Sequence, residues 1–490
     1  MQPFLMDVPR FMIAALRGGS GKTVLSIGLI AALKDLGHSI APFKKGPDYI
    51  DAGWLALAAG RSCYNLDTFL CHPVDVLHSF ENHTRPDDLA VIEGNRGLFD
   101  GIDLAGGTST AELAKLIGTP VILCLDCTKS TRTVAATVLG CLHFDTDVAI
   151  KGVVLNRVAG PRHERILRNS IEHHCDVPVI GAIGKLKKKD FPERHMGLVP
   201  TYEHQWAQKA VSAAAEVIKR SVDLDAVVKI AREKIIPPKT AIQIKPIATA
   251  MDVDDQPSTT RVKHLGGGPD SSPVRIGIVK DSAFQFYYPD NLEALSAAGA
   301  DLIYLSPLST DSLPPLDALY LGGGFPETHV EALSKNVGFR NAIKDLAEKG
   351  FPIYAECGGL MYLGNAIVLE SISYPMANVL PIVYAFSKKP QGHGYTVLKV
   401  KRENPYFPVG TVIKGHEFHY SRVSDWHGRV EELVFSMERG TGFLDRCDGV
   451  RYRNVLALYT HVHALGTPDW ASAMVRNARQ WQKKTGQVPE

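Results

Sequence analysis

Two segments far apart in the chain carry residue types that could perform chemistry. The first is the glycine-rich run Arg17-Gly18-Gly19-Ser20-Gly21-Lys22-Thr23, which follows an apolar run and opens an amphipathic one. Glycines let successive backbone N–H groups surround phosphate oxygens, and the start of a helix adds a favourable dipole. Lys22 can neutralise phosphate charge and Thr23 can hold magnesium. The run therefore predicts a nucleotide-binding loop.

This loop departs from the strict phosphate-loop pattern. Leu16 stands in the place of the usual first glycine, so the segment is closer to the GGxGKT variant of the deviant Walker A ATPases, with Arg17 where that group has a lysine. A glycine-rich turn without a ligand is the alternative. The strand pattern before the loop and the helix pattern after it favour the nucleotide site.

A nucleotide loop needs acidic partners to place a metal ion, and two segments supply them. FKKGPDYID contains Lys44, Lys45, Asp48 and Asp51, and VIEGNRGLFDG contains Glu93 and Asp100. Glu93 ends an apolar strand, where ligands bind in parallel sheets, and its carboxylate could coordinate Mg²⁺ directly or through water. We expect Thr23, Asp48 and Glu93 to serve the metal. A solvated strand end and an Asp-rich turn are the alternatives.

The second segment surrounds Cys357, which follows the apolar run FPIYAE and precedes Gly358 and Gly359. A nucleophile at a sharp strand-to-helix turn is lifted off the sheet, and nearby backbone N–H groups can form an oxyanion hole. We expect Gly358 and Gly324, the latter from the run Gly322-Gly323-Gly324, to form that hole. His461 and His463, in LALYTHVHALGTP, are candidates for the general base. A buried inert cysteine is the alternative.

Other cysteines and histidines favour simpler interpretations. Cys124 and Cys127 form a CxxC on an apolar strand with no second pair at zinc-finger spacing, which predicts packing. A metal cluster is a weaker alternative for the histidines of the second half. These are His393, His416, His419, His461 and His463.

Two α/β domains must position these segments. The first ~225 residues alternate apolar β-branched runs with helical patterns, which predicts a P-loop domain with a doubly wound, mostly parallel sheet. Prolines, Ser/Thr and a GGGP run predict an exposed linker, and strand–helix alternation then resumes. The final third alternates without clear helices, which predicts antiparallel strands before a last helix. The predicted ranges are 1–234 for the first domain, 235–273 for the linker and 274–490 for the second domain.

Composition excludes several classes of protein. With 490 residues, 45% hydrophobic and 22% charged, and a net charge of +2, the chain is an ordinary globular protein without a footprint for nucleic acid. Eight cysteines do not form a secreted disulfide scaffold and favour a reducing cytoplasm. The N-terminus does not read as a signal peptide, and no apolar run of roughly 20 residues predicts a membrane span.

A series of motifs then carries a family resemblance. In chain order they are RGGSGKT, FKKGPDYID, EGNRGLFDG, GVVLNRV, FPERHMGL, AFQFYYPDNLEAL, LYLGGGFPE, YAECGGLMYLG, GHEFHYS and YTHVHA. Together they resemble the cobyrinic acid a,c-diamide synthases across essentially the whole chain. The resemblance implies a dethiobiotin-synthetase-like ATP domain followed by a class I glutamine amidotransferase domain. It also implies ATP- and Mg²⁺-dependent amidation of the a and c acetates of cobyrinic acid in cobalamin biosynthesis, through an acyl phosphate and ammonia from L-glutamine.

The resemblance also implies residue roles. Cys357 would be the glutaminase nucleophile and His461 its base. In the synthetase half, Lys22, Thr23 and Glu93 would serve ATP and Mg²⁺. Asp48, Asp51 and Asp100 would handle the acyl phosphate. Asn156 would recognise the base of the nucleotide.

Departures from the family pattern keep alternatives open. Triad-type class I amidotransferases carry an acid two residues after the catalytic histidine, but His463 stands there, so His461 is expected to lack its usual carboxylate neighbour. Arg96 could meet an extra substrate carboxylate, which keeps amidation of sirohydrochlorin, its nickel form or sirohaem as an alternative. A regulatory deviant Walker A ATPase is a remote third hypothesis, because it leaves Cys357 without a purpose. A homodimer is left open.

Overall fold

The structure is a computed structural model that describes residues 7–185, 193–194, 197–198, 207–238 and 273–486. The chain divides into two compact units, residues 1–257 and 258–490. Most of the predicted linker, residues 239–272, lies outside the described residues, as does half of the FPERHMGL motif.

The first unit alternates strands with helices, as the hydrophobic pattern predicts. Its strands are β1 (Arg10–Ala15), β2 (Ser39–Lys45), β3 (Tyr64–Leu66), β4 (Asp88–Glu93), β5 (Val121–Asp126), β6 (Ile150–Val158), β7 (Val179–Gly184), β8 (Glu193–Arg194) and β9 (Gly197–Leu198). Its helices are α1 (Lys22–Asp35), α2 (Tyr49–Ala59), α3 (Pro73–Asn82), α4 (Thr110–Ile117), α5 (Thr133–Phe144), α6 (Pro161–Cys175), α7 (Ala207–Ser221) and α8 (Leu224–Ala231).

A seven-stranded sheet in the order β3-β2-β4-β1-β5-β6-β7 forms the centre of this unit, and its neighbouring strands run parallel. The central strands are buried along their whole length because helices cover both faces, which explains their continuous apolar runs. The chain moves outward from β1 in both directions, so the loop after β1 lies where ligands bind in such sheets. The predicted doubly wound parallel sheet is confirmed.

The second unit contains the remaining elements. Its strands are β10 (Val274–Val279), β11 (Ala300–Leu305), β12 (Ala318–Leu321), β13 (Ile353–Glu356), β14 (Ala366–Leu369), β15 (Ile372–Pro375), β16 (Ile382–Phe386), β17 (Gly392–Val400), β18 (Val412–His419), β19 (Ser421–Trp426), β20 (Leu433–Arg439), β21 (Cys447–Tyr452), β22 (Val455–Leu458) and β23 (His461–Val462). Its α-helices are α9 (Pro289–Ala297), α10 (Val330–Lys335), α11 (Val337–Glu348), α12 (Gly358–Leu363) and α13 (Asp469–Thr485).

A ten-stranded sheet in the order β11-β10-β12-β13-β22-β21-β20-β17-β18-β23 organises the second unit. Its first five strands are parallel and the other five pair antiparallel, while β15-β14-β16-β19 form a smaller sheet. The predicted antiparallel strands before the last helix are therefore confirmed. Among the helices that the structure describes, none combines the length and apolar character needed to cross a bilayer.

Candidate active sites

The glycine-rich loop joins β1 to α1 and wraps around the side chain of Lys22. Gly19 and Gly21 have φ angles of 70° and 92°, a left-handed region that side chains rarely adopt. The Lys22 ammonium donates to the carbonyl of Arg96 at 2.7 Å and, more weakly, to that of Arg17 at 3.4 Å. Lys22 is thus held over the loop by backbone oxygens, in the manner expected for a residue that contacts phosphate.

Asn156, at the end of β6, holds the same loop from the side. Its Nδ2 donates to the carbonyl of Ser20 at 2.8 Å, and its Oδ1 accepts from the backbone N–H of Arg157 at 2.9 Å. A Cβ atom on Gly21 would lie only 2.2 Å from this Nδ2, so residue 21 must be glycine for the contact to exist. The structure brings Asn156 to the loop, and its recognition of a base stays a prediction.

A buried lysine and two carboxylates form a compact cluster beside the loop. Lys44 and Glu93 are register partners in β2 and β4, and the Lys44 ammonium lies 2.8 Å from Glu93 Oε1 and 2.9 Å from Asp51 Oδ2. Thr23 Oγ1 donates to the same Glu93 oxygen at 2.9 Å. Lys44 and Glu93 are 1% and 0% exposed. Parallel register and the start of α1 thus place three predicted site residues, Thr23, Asp51 and Glu93, around one lysine.

The acidic groups of this cluster have shifted pKa values. Burial raises the pKa of Asp48 to about 7, and the neighbouring Asp51 carboxylate adds to the rise. Burial also raises the pKa of Glu93, although the Lys44 ammonium opposes it. At Asp51 burial acts in the same direction, but Lys44 wins and holds the pKa below its usual value. One cation therefore holds several acidic groups, and the site favours a further cation.

A magnesium ion fits this donor set. Glu93 Oε2 is a buried carboxylate oxygen to which no described group donates a hydrogen bond. Within the described part of the chain, no group of three or more His, Cys, Asp or Glu side chains forms a self-contained metal site. Magnesium characteristically binds through one or two carboxylates together with phosphate oxygens and water. Glu93 and Thr23 match that partial ligand set.

The remaining predicted residues of the first unit hold its loops. Asp48 caps α2, since its Oδ1 accepts from the backbone N–H of Asp51 at 2.9 Å. Asp100 Oδ2 accepts from the N–H of Gly97 at 2.9 Å, and this loop is fastened to the end of β1 by Leu98 N–H donating to Ala15 O at 2.7 Å. Asp100 therefore holds the loop that is fastened to the end of β1, and its role in the synthetase site stays a prediction.

In the second unit, Cys357 occupies a strained strand-to-helix junction. It lies between β13 and α12 with φ 46° and ψ −99°, a conformation that residues other than glycine rarely adopt. Its N–H donates to Leu458 O at 2.8 Å and its carbonyl accepts from Met361 N–H at 3.0 Å. Both backbone groups are therefore fixed, and the predicted elbow is present in the structure.

The Gly322-Gly323-Gly324 loop packs against both the elbow and His461. Gly359 N–H donates to Gly322 O at 3.1 Å, and a Cβ atom on Gly358 would lie 2.9 Å from Gly324 N. On the other side, a Cβ atom on Gly323 would lie 2.3 Å from His461 Cε1. Side chains at these positions would separate the three segments, so the glycines permit their close approach. The oxyanion-hole roles of Gly324 and Gly358 stay predictions.

The Cys357 thiol is protonated in its resting state. Burial raises its pKa well above the ordinary value, and the carboxylates of Glu327 and Glu356 act in the same direction. A hydrogen bond from the Gly358 N–H opposes them without overcoming them. Because the thiolate is the nucleophilic form, this cysteine needs a base that removes its proton.

His461 lies on β23 opposite His416 of β18, and the two rings stack with centroids 4.8 Å apart. Its Nδ1 lies 3.3 Å from Glu356 Oε2. As expected, residue 463 supplies no carboxylate to His461, but Glu356 provides one from another strand. Glu356 was not among the predicted residues; its signal is an acidic residue that ends an otherwise apolar strand directly before the nucleophile.

The other predicted histidines have further neighbours. His463 Nε2 lies 3.4 Å from Asp290 Oδ2, and burial together with His461 and His463 lowers the pKa of His416 well below its usual value. His419 stacks on Tyr459, and His393 meets the edge of Phe418. These histidines form no metal cluster in the described ranges.

The remaining thiols agree with the packing interpretation. All eight cysteines are free, and Cys124 and Cys127 are fully buried. Burial raises the pKa of both to about 12, which keeps them as unreactive thiols at neutral pH.

Comparison with known proteins agrees with both sites. Residues 11–199 match the family model described as the CobQ/CobB/MinD/ParA nucleotide binding domain, and residues 275–468 match the CobB/CobQ-like glutamine amidotransferase domain. A cobyrinate a,c-diamide synthase of Magnetococcus marinus is 43% identical over 97% of this chain and 98% of its own. One of Archaeoglobus fulgidus is 38% identical over 96% and 98%. With these identities along nearly the full length, the chain belongs to the cobyrinate a,c-diamide synthase family.

Proposed function

We propose that this protein is an ATP- and glutamine-dependent amidoligase that converts the a and c acetate carboxylates of cobyrinic acid to amides. One observation carries the proposal: a single chain holds a buried charged cluster beside a phosphate loop and, in its second unit, a buried thiol at a nucleophile elbow whose neighbouring glycine loop also packs against His461. The first suits phosphoryl transfer and the second suits amide hydrolysis. We assign these tasks to residues 1–234 and 274–490.

The synthetase half makes a carboxylate reactive. ATP with Mg²⁺ supplies the phosphoryl group that turns the substrate carboxylate into an acyl phosphate, with release of ADP. Lys22 would neutralise charge on the phosphates, and Glu93 and Thr23 would hold the metal, with Asp48 as a third candidate ligand. Lys44 keeps Asp51 and Glu93 ionised and in place. Asp51 and Asp100 handle the activated carboxylate, and ammonia then displaces phosphate to form the amide.

The glutaminase half releases the ammonia. The Cys357 thiol gives its proton to His461 as Sγ attacks the side-chain carbonyl carbon of glutamine, and the resulting oxyanion accepts from the N–H groups of Gly324 and Gly358. The C–N bond breaks, the proton from His461 leaves with ammonia, and a thioester remains. Water hydrolyses the thioester to glutamate and restores the thiol.

The choice of ring rests on the relatives. The relatives that span nearly the whole chain are named cobyrinate a,c-diamide synthases, which favours cobyrinic acid over sirohydrochlorin or sirohaem as substrate. Arg96 is exposed beside the phosphate loop and suits a carboxylate of any of these polyanionic rings. A regulatory ATPase is disfavoured because it gives the strained Cys357 no task.

A product analysis tests the proposal. Purified protein is incubated with ATP, Mg²⁺ and glutamine, together with either cobyrinic acid or sirohydrochlorin, and the products are weighed by mass spectrometry. Two amides on cobyrinic acid and none on sirohydrochlorin are expected. Amidation of sirohydrochlorin alone would move the assignment to the alternative substrate, and amidation of neither ring would refute both.

A further inference from the structure

We infer that Glu356 is the carboxylate that positions His461 as the base for Cys357. This inference rests on the proposed glutaminase and names a third member of its machinery. In sequence, that member is the residue immediately before the nucleophile, rather than one that follows the histidine.

The geometry supports this assignment. Glu356 Oε2 lies 3.3 Å from His461 Nδ1, and the side chains of Glu356 and His461 are 0% and 2% exposed. In a buried site, water does not weaken the attraction between a carboxylate and an imidazole that carries a proton on the facing nitrogen. The pair can therefore control both the orientation of the ring and the position of its proton.

Glu356 is itself held in place by two donors. Its Oε1 accepts from the backbone N–H of Val462 at 3.2 Å, and its Oε2 accepts from the hydroxyl of Tyr320 at 3.2 Å. Val462 follows His461 directly on β23, so the carboxylate is tied to the same strand that carries the imidazole. One side chain thus connects the strand before the nucleophile to the strand of the base.

The chemical role follows from the tautomer of His461. A carboxylate facing Nδ1 favours the proton on that nitrogen, and the lone pair of the other nitrogen, Nε2, is then free to accept. A cysteine attacks as its thiolate, and in the proposed glutaminase this lone pair is the acceptor of the Cys357 proton. When the proton has been taken up, the same carboxylate stabilises the imidazolium until ammonia leaves with the proton.

A second pair in the same unit offers a matched comparison. His463 Nε2 lies 3.4 Å from Asp290 Oδ2, and both of these side chains are also nearly fully buried. His463 occupies the sequence position where triad-type enzymes carry their acid, but it contributes an imidazole there. If both carboxylates served only to stabilise the fold, replacing Glu356 or Asp290 would lower glutamine hydrolysis by a similar factor.

The main experiment measures glutamine hydrolysis by Glu356→Gln and by Asp290→Asn. Cys357→Ala serves as the inactive control. Glutamine at position 356 keeps an oxygen that can accept from Val462 but no longer favours a proton on Nδ1. We expect kcat to fall by about 10²- to 10⁴-fold in Glu356→Gln, with KM for glutamine within about threefold of the parent, as for loss of a triad carboxylate. Asp290→Asn should stay within about threefold in kcat.

A measurement on the unmutated protein guards against a variant that does not fold. In protein labelled with ¹⁵N-histidine, the His461 signal is assigned by its loss in His461→Asn. The inference expects the proton on Nδ1 and an unprotonated Nε2 at neutral pH.

The outcomes separate the inference from the proposed function. A kcat for Glu356→Gln within threefold of the parent, equal losses in Glu356→Gln and Asp290→Asn, or the opposite tautomer of His461 would each overturn the positioning role. Hydrolysis that survives in Cys357→Ala would instead overturn the glutaminase itself.

Discussion

The two sites of this chain use opposite electrostatic arrangements at similar burial. In the first unit, Lys44 remains an ammonium among buried acidic groups, because Asp51 and Glu93 raise its pKa and outweigh the effect of burial. In the second unit, the Cys357 thiol stays protonated and His416 stays neutral. One site therefore holds a permanent cation among acidic groups, and the other holds a thiol and an imidazole that rest neutral.

The difference matches the chemistry proposed for each. Phosphoryl transfer moves negative charge between oxygens, so fixed cations placed in advance lower its barrier. Amide hydrolysis by a thiol moves protons, so its groups must change protonation state during every turnover. A variant that removes a charge from the first site should therefore lose amide formation. A variant that removes the nucleophile or the proton acceptor from the second site should lose glutamine hydrolysis.

The largest expected effect is the separation of the two activities by Cys357→Ala. Glutamine hydrolysis should fall by about 10⁴-fold or more, as for loss of a covalent nucleophile. Amide formation with ammonium chloride as donor should continue, because the charged cluster is untouched. Ammonia release and product mass measure the two activities. Glutamine hydrolysis at the parent rate would show that Cys357 is not the nucleophile.

The corresponding variant of the first site is Glu93→Gln. Removal of this charge should lower amide formation by about 10³-fold with either glutamine or free ammonia, since the metal loses a ligand. Asp88→Asn is the matched control. Asp88 lies on β4, as Glu93 does, and is a buried carboxylate that pairs with Arg61. This control should leave the rate within about threefold. Equal rates in the two variants would remove Glu93 from the site.

A stability measurement sharpens the comparison. Lys44→Met leaves Asp51 and Glu93 without their cation, and loss of one partner of a buried ion pair costs about 3–5 kcal/mol. Hydrogen exchange in peptides that cover β2 and β4 measures the local free energy of unfolding. A loss below about 1 kcal/mol would mean that the two acids are protonated when Lys44 is absent.

The smallest expected effect is a change in the stability of the second unit at acidic pH. The pKa of His416 lies well below its ordinary value in the folded chain, so only the unfolded chain takes up this proton as pH falls below about 6.5. Stability of the second unit therefore decreases with falling pH, and this histidine contributes about 1 kcal/mol of the loss between pH 7 and 5.5. His416→Gln should reduce the acid-induced loss by that amount, as measured by urea unfolding at the two pH values. An unchanged loss would contradict the assignment.

Sequence patterns predicted the strands and helices that carry both sites because continuous apolar runs and glycine loops are local signals. The Thr23–Glu93 contact also followed from motif placement, since both residues stand at the same edge of a parallel sheet. The role of Lys44 as the common partner of two acids did not follow, because it depends on the register between β2 and β4. Glu356 was missed because the pairing of β13 with β22, and not any spacing from His461, brings it close.

The backbone at residue 357 has an evolutionary consequence. Its left-handed φ of 46° is one that glycine adopts readily and other residues adopt at a cost of about 1–3 kcal/mol. A glycine there would relieve the strain and abolish the proposed nucleophile. Selection for thermal stability alone would therefore drive this position away from activity, so a lineage that loses its need for glutamine as nitrogen donor should replace Cys357 early, while the fold around it persists.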